Sequence, residues 1–251
     1  MDRQTISSIA HGDHPVAAPL HETSVARLLD RALPRGDERV LDLGCREGAW
    51  LRRAVRGRPG VRAEGVDIDA SAVGSGRAAF AADGLAGQVE LHVRDASEFA
   101  PDHRFDLVLC VGATHAFGGL LPTLAAARGH LAPGGSVLIG EGFWEREPGR
   151  ETLDAGFTAQ EYDSLAVTVD RIGDAGWTPV YGHVSTVDEW DDYEWSWTGT
   201  LARWGLDRPA GPERAAALRA AREHRDAWLH GYRRTLGFVT LLLRRTESDE
   251  G

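Results

Sequence analysis

Residues 40–69 constrain the fold more than any other part of this 251-residue chain. An apolar segment leads into a turn that contains Gly44 and Gly48, and a second apolar segment ends in Asp67 about 20 residues further on, the spacing of a Rossmann-like βαβ unit. In such units glycines let the backbone turn tightly beside a nucleotide-type ligand, and the carboxylate accepts hydrogen bonds from ribose hydroxyls. The stretch therefore predicts a nucleotide-type cofactor, but it does not identify the second substrate.

Segments of strand character alternate with helical segments along the chain, which predicts a largely parallel sheet in one α/β domain. The predicted strands are residues 39–43, 62–66, 89–93, 105–111, 136–140, 179–185 and 237–244. The pattern between them predicts helices, among them residues 21–33, 47–55, 120–131 and 159–175. Residues 1–20 show little periodicity and are predicted to form an irregular arm.

The charged residues exclude several classes of function. All 28 basic residues other than histidine are arginines. Without lysine the chain cannot form the Schiff base of a pyridoxal-phosphate enzyme or a Walker-A phosphate loop. The formal net charge of −10 argues against a nucleic-acid partner, because neutralisation of phosphates dominates that affinity.

The apolar residues indicate neither a membrane span nor a secretory signal. No apolar run reaches the roughly 20 residues that a spanning helix needs, and the first residues lack a basic and then apolar pattern. We therefore expect a cytoplasmic protein with no membrane partner. Cys45 and Cys110 fall near predicted strand ends, so we expect small buried side chains and no metal site.

Five sequence motifs together resemble those of the class I S-adenosylmethionine-dependent methyltransferases, over nearly the whole chain. They are LDLGCREG at 41–48, GVDID at 65–69, RDA at 94–96, FDLVLCVGA at 105–113 and LAPGG at 131–135. The resemblance implies an enzyme that uses S-adenosylmethionine and releases S-adenosylhomocysteine. It also implies a Rossmann-like seven-stranded, mostly parallel sheet with the last strand antiparallel and helices on both faces.

A narrower resemblance connects the chain to a bacterial, small-molecule-type subgroup of that family. It rests on residues 112–119 and 138–148, on the N-terminal arm and on residues 188–193. We expect a single domain of residues 1–251, made of an arm and helix (1–35), a cofactor-binding core (36–186), an aromatic helical insertion that could cover the substrate (187–234), and a last strand with a tail (235–251).

Eight residues occupy positions that hold the cofactor in the family: Asp42, Gly44, Gly48, Asp67, Ile68, Asp95, Ala96 and Val111. The resemblance implies that Asp67 binds both ribose hydroxyls and that Asp95 accepts from the adenine amino group. The Ala96 N–H would reach the adenine ring. Asp42 would hold the glycine loop, and the Val111 backbone would lie near the amino-acid end of the cofactor.

One residue departs from the family pattern, because Arg46 stands where the family has its middle glycine. A side chain is tolerated there if φ is negative and the side chain points outward. Otherwise the side chain could crowd the methionine part of the cofactor or pair with its carboxylate. We expect cofactor binding to be retained.

Two residues at predicted strand ends are candidates for the chemistry. Methyl transfer depends mainly on holding the acceptor in line with the methyl group, and a base helps only if the acceptor must lose a proton. His115 is the candidate base, with shaping of the pocket as its alternative role. Glu141 could hold a cationic or hydroxyl-bearing acceptor.

Further candidates for substrate contacts are His14, Trp144, Trp190, Tyr193 and Trp197. The arm with His14 could fold over the cofactor, and Trp144 could form an apolar wall or anchor a loop. The aromatic residues of the insertion stand beside carboxylates and could form a pocket for an amine through cation–π contacts. However, their i, i+3 and i+7 spacing equally favours helix core packing.

Residues 141–197 contain 14 acidic residues and 3 arginines, which predicts either a solvated acidic face or an entrance that attracts a cationic substrate. The resulting hypothesis is in-line methyl transfer to the N, O or C atom of a small molecule, such as an amine or a phenol. The alternatives are a cyclase or lyase acting on S-adenosylmethionine itself, or a non-catalytic module that binds it.

Overall fold

The computed structural model describes residues 1–246, so residues 247–251 of the expected tail lie outside it. The chain separates into two compact units. The first unit consists of Met1–His21, Gly142–Val167 and Val184–Phe238, and the second unit of Glu22–Glu141, Thr168–His183 and the chain from Val239 onward. In the described part, no helix combines the length and the apolar character that membrane crossing requires.

Seven strands form one sheet in the order β3-β2-β1-β4-β5-β7-β6. They are β1 (Arg39–Leu43), β2 (Arg62–Asp67), β3 (Val89–Val93), β4 (Phe105–Val111), β5 (Leu131–Trp144), β6 (Trp177–Val184) and β7 (Leu236–Arg245). The middle segments of the central strands are apolar: residues 107–110 of β4 and 137–139 of β5 are almost fully buried. A strand covered on both faces by other elements has this composition.

The pairing of the strands confirms the predicted fold class. β2 pairs with β3, β1 pairs with β2 and β4, and β4 pairs with β5, all in parallel. β7 runs antiparallel to β6, as the contacts of its two ends show. Near its start, the Phe238 carbonyl accepts from the Ser185 N–H at 2.9 Å, while near its end the Thr246 N–H donates to the Gly176 carbonyl at 3.0 Å.

Nine α-helices connect the strands within the described residues: α1 (Arg3–Ala10), α2 (Glu22–Ala32), α3 (Ala49–Val55), α4 (Ala70–Ala82), α5 (Leu120–His130), α6 (Arg150–Asp154), α7 (Leu165–Asp174), α8 (Val187–Leu206) and α9 (Pro212–Ala227). A π-helical turn, Trp228–Tyr232, continues from α9. The predicted strands and most predicted helices agree with these bounds within a few residues, but β5 is considerably longer at both ends and α7 begins later than predicted.

The prediction of an irregular N-terminal arm is wrong, because its first part forms α1. The Asp2 carboxylate caps the helix by accepting from the Thr5 N–H at 2.8 Å. Ala10 at the end of α1 is fully buried in an apolar cluster with Leu201 of α8, which Ile9 also joins. The sequence pattern was too short to reveal this helix, since the residues that stabilise it lie about 190 positions away.

Candidate functional site

The turn after β1 adopts a conformation that requires glycine at Gly44. Its φ is +87°, and a Cβ atom on it would lie 2.5 Å from the Cβ of Ala113. The backbone N–H groups of Gly44 and Cys45 both donate to the Val66 carbonyl, at 2.9 and 3.0 Å. The turn is therefore held against the end of β2, where Asp67 follows.

Gly48 closes the same turn and begins α3. It adopts a left-handed conformation, with φ +77° and ψ +34°. A Cβ atom there would lie 2.8 Å from the ring of Phe80 in α4. Phe80 was not predicted as a site residue, because nothing in the local pattern distinguishes it from an ordinary core residue of the helix. The ring of Phe80 nevertheless lies directly beside the turn at Gly48.

Arg46 also has a positive φ, +49°, so the condition of a negative φ does not hold. For an L-residue a left-handed conformation costs roughly 1–2 kcal/mol. The Arg46 N–H donates to Oδ2 of Asp67 at 2.8 Å, and such a hydrogen bond to a charged acceptor offsets part of that cost. The conformation of the loop is therefore coupled to the carboxylate at the end of β2.

Asp67 accepts hydrogen bonds with both of its carboxylate oxygens. Oδ2 accepts from the Arg46 N–H, and Oδ1 accepts from the Asp69 N–H at 2.8 Å. Each oxygen of an ionised carboxylate can accept a second hydrogen bond, so the side chain retains the capacity to bind two hydroxyl groups. The adjacent Ile68 is 75% exposed, which places a large apolar side chain next to these acceptors.

Asp42 lies in β1 and pairs with Gly65 of β2 on one side and Leu109 of β4 on the other. The side chain is only 4% exposed. Burial, together with the charge of nearby Asp67, raises the pKa of Asp42 to about 8. Near neutral pH this carboxyl group is therefore mainly protonated, which makes it a neutral hydrogen-bonding group beside the turn.

Both cysteines are buried free thiols in the second unit. Burial is the main cause that raises their pKa values, that of Cys110 to about 12 and that of Cys45 still further above its ordinary value. Neither thiol is a nucleophile near neutral pH, because the thiolate is the reactive form.

Asp95 follows β3 and caps the short 3₁₀ turn Ala96–Glu98. Its Oδ1 accepts from the Ser97 hydroxyl at 2.7 Å and from the Ser97 N–H at 2.9 Å. These two hydrogen bonds lower the pKa of the exposed Asp95 carboxyl, so it is ionised near neutral pH. Ala96 beside it is buried.

The remaining predicted site residues of the second unit lie at the end of β4, just beyond it, or near the end of β5. Val111 is the last residue of β4 and pairs with Gly140 of β5, directly before the half-buried Glu141. His115 is exposed and lies in the 3₁₀ turn Thr114–Phe117 beyond β4. Because β1, β4 and β5 are adjacent parallel strands, their carboxyl ends share one edge of the sheet. His115, Glu141 and the glycine turn thus belong to one edge, while their functional roles stay predictions.

Trp144, in the first unit, is buried and contacts residues of the segment that follows it. It is 7% exposed, and its Nε1–H donates to the Ala159 carbonyl at 3.0 Å. The ring of Tyr162 packs edge-on against it, with centroids 5.4 Å apart. These contacts agree with the loop-anchoring alternative considered for this residue.

Tyr193 of α8 connects that helix to the N-terminal segment of the first unit. Its hydroxyl lies 3.0 Å from Nε2 of His11, and the ring of His14 packs edge-on against the Tyr193 ring at 5.3 Å. The structure therefore brings together two of the predicted substrate residues, His14 and Tyr193, through contacts that also position the N-terminal segment.

Trp197 packs within the helical part of the first unit. Its ring stacks on His224 of α9 at 3.8 Å, and His224 Nε2 lies 2.7 Å from Glu194, which is only 2% exposed. The Tyr232 hydroxyl donates to the same carboxylate at 2.7 Å. Burial and the proximity of Glu194 raise the pKa of Tyr232 far above its ordinary value.

The acidic side chains at the start of α8 also serve protein contacts. Arg233 binds both oxygens of Asp191, with Nε–Oδ1 2.8 Å and Nη2–Oδ2 2.5 Å. Glu189 is buried and accepts from the backbone N–H groups of His21 and Thr186. Two of the 14 acidic residues at 141–197, Glu189 and Asp191, thus hold the helix in place.

Trp190 lines a cavity of about 500 Å³ whose walls come from residues of the first unit. Ser185, Trp228 and Arg233 line it as well. Ser185, Trp228 and Arg233 were not predicted as site residues. They come together because β6 ends beside the start of antiparallel β7, an arrangement that local sequence patterns do not reveal.

Comparisons with known proteins agree on one family. A family model described as a methyltransferase domain matches residues 41–137. The uncharacterized protein YjhP of Escherichia coli is 27% identical over 223 residues, 88% of this chain and 89% of YjhP. A trans-aconitate 2-methyltransferase of Streptomyces avermitilis is 28% identical over 172 residues, 68% of this chain and 62% of that enzyme.

Among solved structures, a SAM-dependent methyltransferase of Thiobacillus denitrificans, crystallised in complex with S-adenosyl-L-homocysteine, superposes with a TM-score of 0.87. It is 26% identical, and the match covers 98% of this chain and 99% of that one. The similarity therefore includes both units of the chain and not only the residues that the family model matches.

Proposed function

Because the chain belongs to the class I S-adenosylmethionine-dependent methyltransferases, we propose that it transfers the methyl group of S-adenosylmethionine to a small-molecule acceptor. The observation that carries the proposal is the connection between the glycine turn after β1 and Asp67 at the end of β2. It combines a backbone shaped for close approach of a ligand with a carboxylate suited to ribose hydroxyls.

The residues at this edge suit the parts of S-adenosylmethionine. Asp67 would accept from the two ribose hydroxyls, since each of its oxygens is used once by a backbone N–H. The exposed Ile68 side chain would cover one face of the adenine, and Asp95 would accept from its amino group. Gly44 would let the backbone approach the methionine part. When bound, the cofactor supplies a methyl group on a positively charged sulfur.

The reaction needs an acceptor atom held in line with that methyl group. A new bond forms between the acceptor atom and the methyl carbon, while the bond between carbon and sulfur breaks and its electrons return to sulfur. If the acceptor atom carries a proton, the imidazole of His115 would take it, in line with the common use of histidine as a base. Glu141 would orient the acceptor through its carboxylate.

A small acceptor is favoured by two observations. The net charge of −10 disfavours RNA or DNA. The relative from Streptomyces avermitilis is named for methyl transfer to trans-aconitate, which is a small molecule. Amines and phenols are the first acceptor classes to test, because both offer a nucleophilic N or O atom that loses a proton on methylation.

Calorimetric titration with S-adenosylmethionine and S-adenosylhomocysteine, combined with mass spectrometry of the incubated samples, tests the proposal. Binding of both, with S-adenosylhomocysteine formed only when an acceptor is added, supports methyl transfer. Methylthioadenosine formed without an acceptor would instead support a cyclase or lyase. If neither compound binds, the proposal is wrong.

The role of His115 can be tested once an acceptor has been found. His115→Ala and His115→Gln are compared, because glutamine keeps a polar side chain of similar reach but cannot accept the proton as a base. A base at this position predicts that both variants lose roughly 10²–10⁴-fold in kcat while their affinity for S-adenosylhomocysteine stays near that of the parent. Full activity of His115→Gln would assign the residue to pocket shape instead.

A further inference from the structure

Several residues that line the cavity beside Trp190 in the first unit have buried polar atoms without hydrogen-bond partners among the described residues. The three atoms are Ser185 Oγ, Trp190 Nε1 and Trp228 Nε1. Ser185 is 8% exposed and Trp228 is 1% exposed. All the residues that line this cavity belong to the same compact unit.

Three such groups at one cavity call for an explanation. The large majority of buried side-chain polar atoms in proteins are hydrogen-bonded, and each unpaired one costs roughly 1–3 kcal/mol. Nearby polar groups are paired in the normal way: Thr186 forms a capping box with Glu189, and the Thr152 hydroxyl donates to the Gly231 carbonyl. A molecule that accepts hydrogen bonds in this cavity would remove the cost.

The chemistry of the lining residues favours a ligand with negative charge. An indole N–H can only donate, and Arg146 and Arg234 add two guanidinium groups to the wall. Asp191 is neutralised by its two hydrogen bonds with Arg233, which leaves Glu145 as the other lining carboxylate. Donors and positive charge therefore exceed acceptors and negative charge.

The shape and the apolar lining define the rest of the ligand. The rings of Trp190, Trp228 and Tyr232 and the side chain of Leu236 provide aromatic and apolar walls. A volume of about 500 Å³ lies in the usual range for small-molecule sites, roughly 300–1,000 Å³. Such walls suit a flat, apolar body, and the indole and guanidinium donors suit a carboxylate attached to it.

We propose that this cavity is a binding site for a flat small molecule that carries a carboxylate, held by the N–H groups of Trp190 and Trp228 and the hydroxyl of Ser185. The three atoms are closed to water, so the proposal requires the two indole groups and the hydroxyl to turn toward the cavity when the carboxylate binds. The site goes beyond the proposed methyl transfer, because the ligand binds there whether or not it is the molecule that becomes methylated.

The test uses 2-naphthoate as the probe, with 2-naphthamide and 2-naphthylmethylamine as neutral and cationic analogues of the same shape. The full chain is labelled with ¹⁵N in its indole groups, and each probe is added without S-adenosylmethionine. We expect saturable binding of 2-naphthoate and changes in the indole N–H resonances of Trp190 and Trp228. Each of these resonances is identified by its absence from the spectrum of Trp190→Phe or Trp228→Phe. We expect the amine not to bind.

Variants then locate the binding. Trp190→Phe keeps most of the ring surface but removes the donor, so 2-naphthoate should bind about tenfold more weakly, and Ser185→Ala should weaken it in the same direction. Trp204→Phe is the matched control, because Trp204 lies under the Arg208 guanidinium and does not line the cavity. Its affinity should equal that of the parent.

Three outcomes would overturn the proposal: no saturable binding of 2-naphthoate, tighter binding of the amine, or equal affinities of the parent, Trp190→Phe and Ser185→Ala. Since Trp228→Phe replaces a fully buried residue and could fail to fold, the conclusion depends on the other two variants. Titration of the same samples with S-adenosylhomocysteine separates this result from a failure of the proposed methyl transfer.

Discussion

The backbone N–H of Arg46 donates a hydrogen bond of 2.8 Å to Oδ2 of Asp67. One end of this contact lies in the turn after β1, and the other lies at the carboxyl end of β2. The carboxylate that would bind the ribose therefore also fixes the shape of the turn that would hold the methionine part. Changes at either residue should affect both cofactor affinity and stability.

Replacement of Asp67 should weaken the binding of S-adenosylmethionine. In Asp67→Ala the hydroxyl contacts and the support of the turn are lost together, and we expect a loss of about 1–3 kcal/mol in binding free energy, measured by calorimetry. Asp106→Ala is the matched control, because Asp106 also accepts a backbone N–H, that of Arg39, at 2.9 Å, but from the start of β1. Equal affinity of Asp67→Ala and the parent would contradict the placement of the cofactor.

Replacement of Arg46 should reveal the cost of its positive φ. Glycine adopts φ +49° without a penalty from Cβ, whereas alanine does not. After allowance for the greater freedom of glycine in the unfolded chain, Arg46→Gly should be more stable than Arg46→Ala by about 0.5–1 kcal/mol, measured by urea unfolding.

Arg56, directly after α3, is the control for Arg46, because its φ is negative, at −62°. Arg56→Gly should therefore be less stable than Arg56→Ala. If glycine and alanine rank in the same order at Arg46 and Arg56, the left-handed conformation of Arg46 does not carry the predicted cost.

Asp42 should make stability depend on pH. Burial, together with the Asp67 charge, raises its pKa from 3.8 to about 8, so between these values the folded chain keeps a proton that the unfolded chain has lost. Unfolding then releases a proton, and the free energy of unfolding falls as pH rises, by up to about 1.4 kcal/mol per pH unit from this group. The decline ends above about pH 8.

Urea unfolding of Asp42→Asn at several values between about pH 5 and 8 measures this effect. Asparagine does not titrate, so the free energy of unfolding of this variant should fall less steeply than that of the parent. Asp95→Asn is the control: the pKa of Asp95 is lowered, so its stabilising contribution is lost only as pH falls below 3.8. Parallel curves for the parent and Asp42→Asn would show that Asp42 is ionised in the folded state.

Glu194 should be a major contributor to the stability of the first unit. Its buried carboxylate lies 2.7 Å from both His224 and Tyr232, and Glu194→Ala leaves these two groups without their common partner. We expect a loss of about 1–3 kcal/mol in the free energy of unfolding. Glu223→Ala removes only an exposed pair with Arg219 at 3.9 Å and should cost no more than about 0.5 kcal/mol. Similar losses in the two variants would argue against the network.

The sequence predicted well the features that depend on short segments. The run of apolar residues in β4 indicates a strand covered on both faces, and the order of Gly44, Gly48 and Asp67 indicates the turn and the carboxylate that follow β1 and β2. These features were predictable because close packing and backbone conformation restrict the residue types at fixed local spacings. The functional roles of the individual site residues stay predictions.

Local segments of the sequence therefore predicted the alternation of strands and helices and the residues at the carboxyl ends of the central strands. The positive φ of Arg46, the formation of α1 and the cavity beside Trp190 emerge only in the folded chain. Each of these depends on contacts between distant residues, such as Arg46 with Asp67 or Ala10 with Leu201. Local patterns do not encode them, because their energies arise only when the chain has brought those residues together.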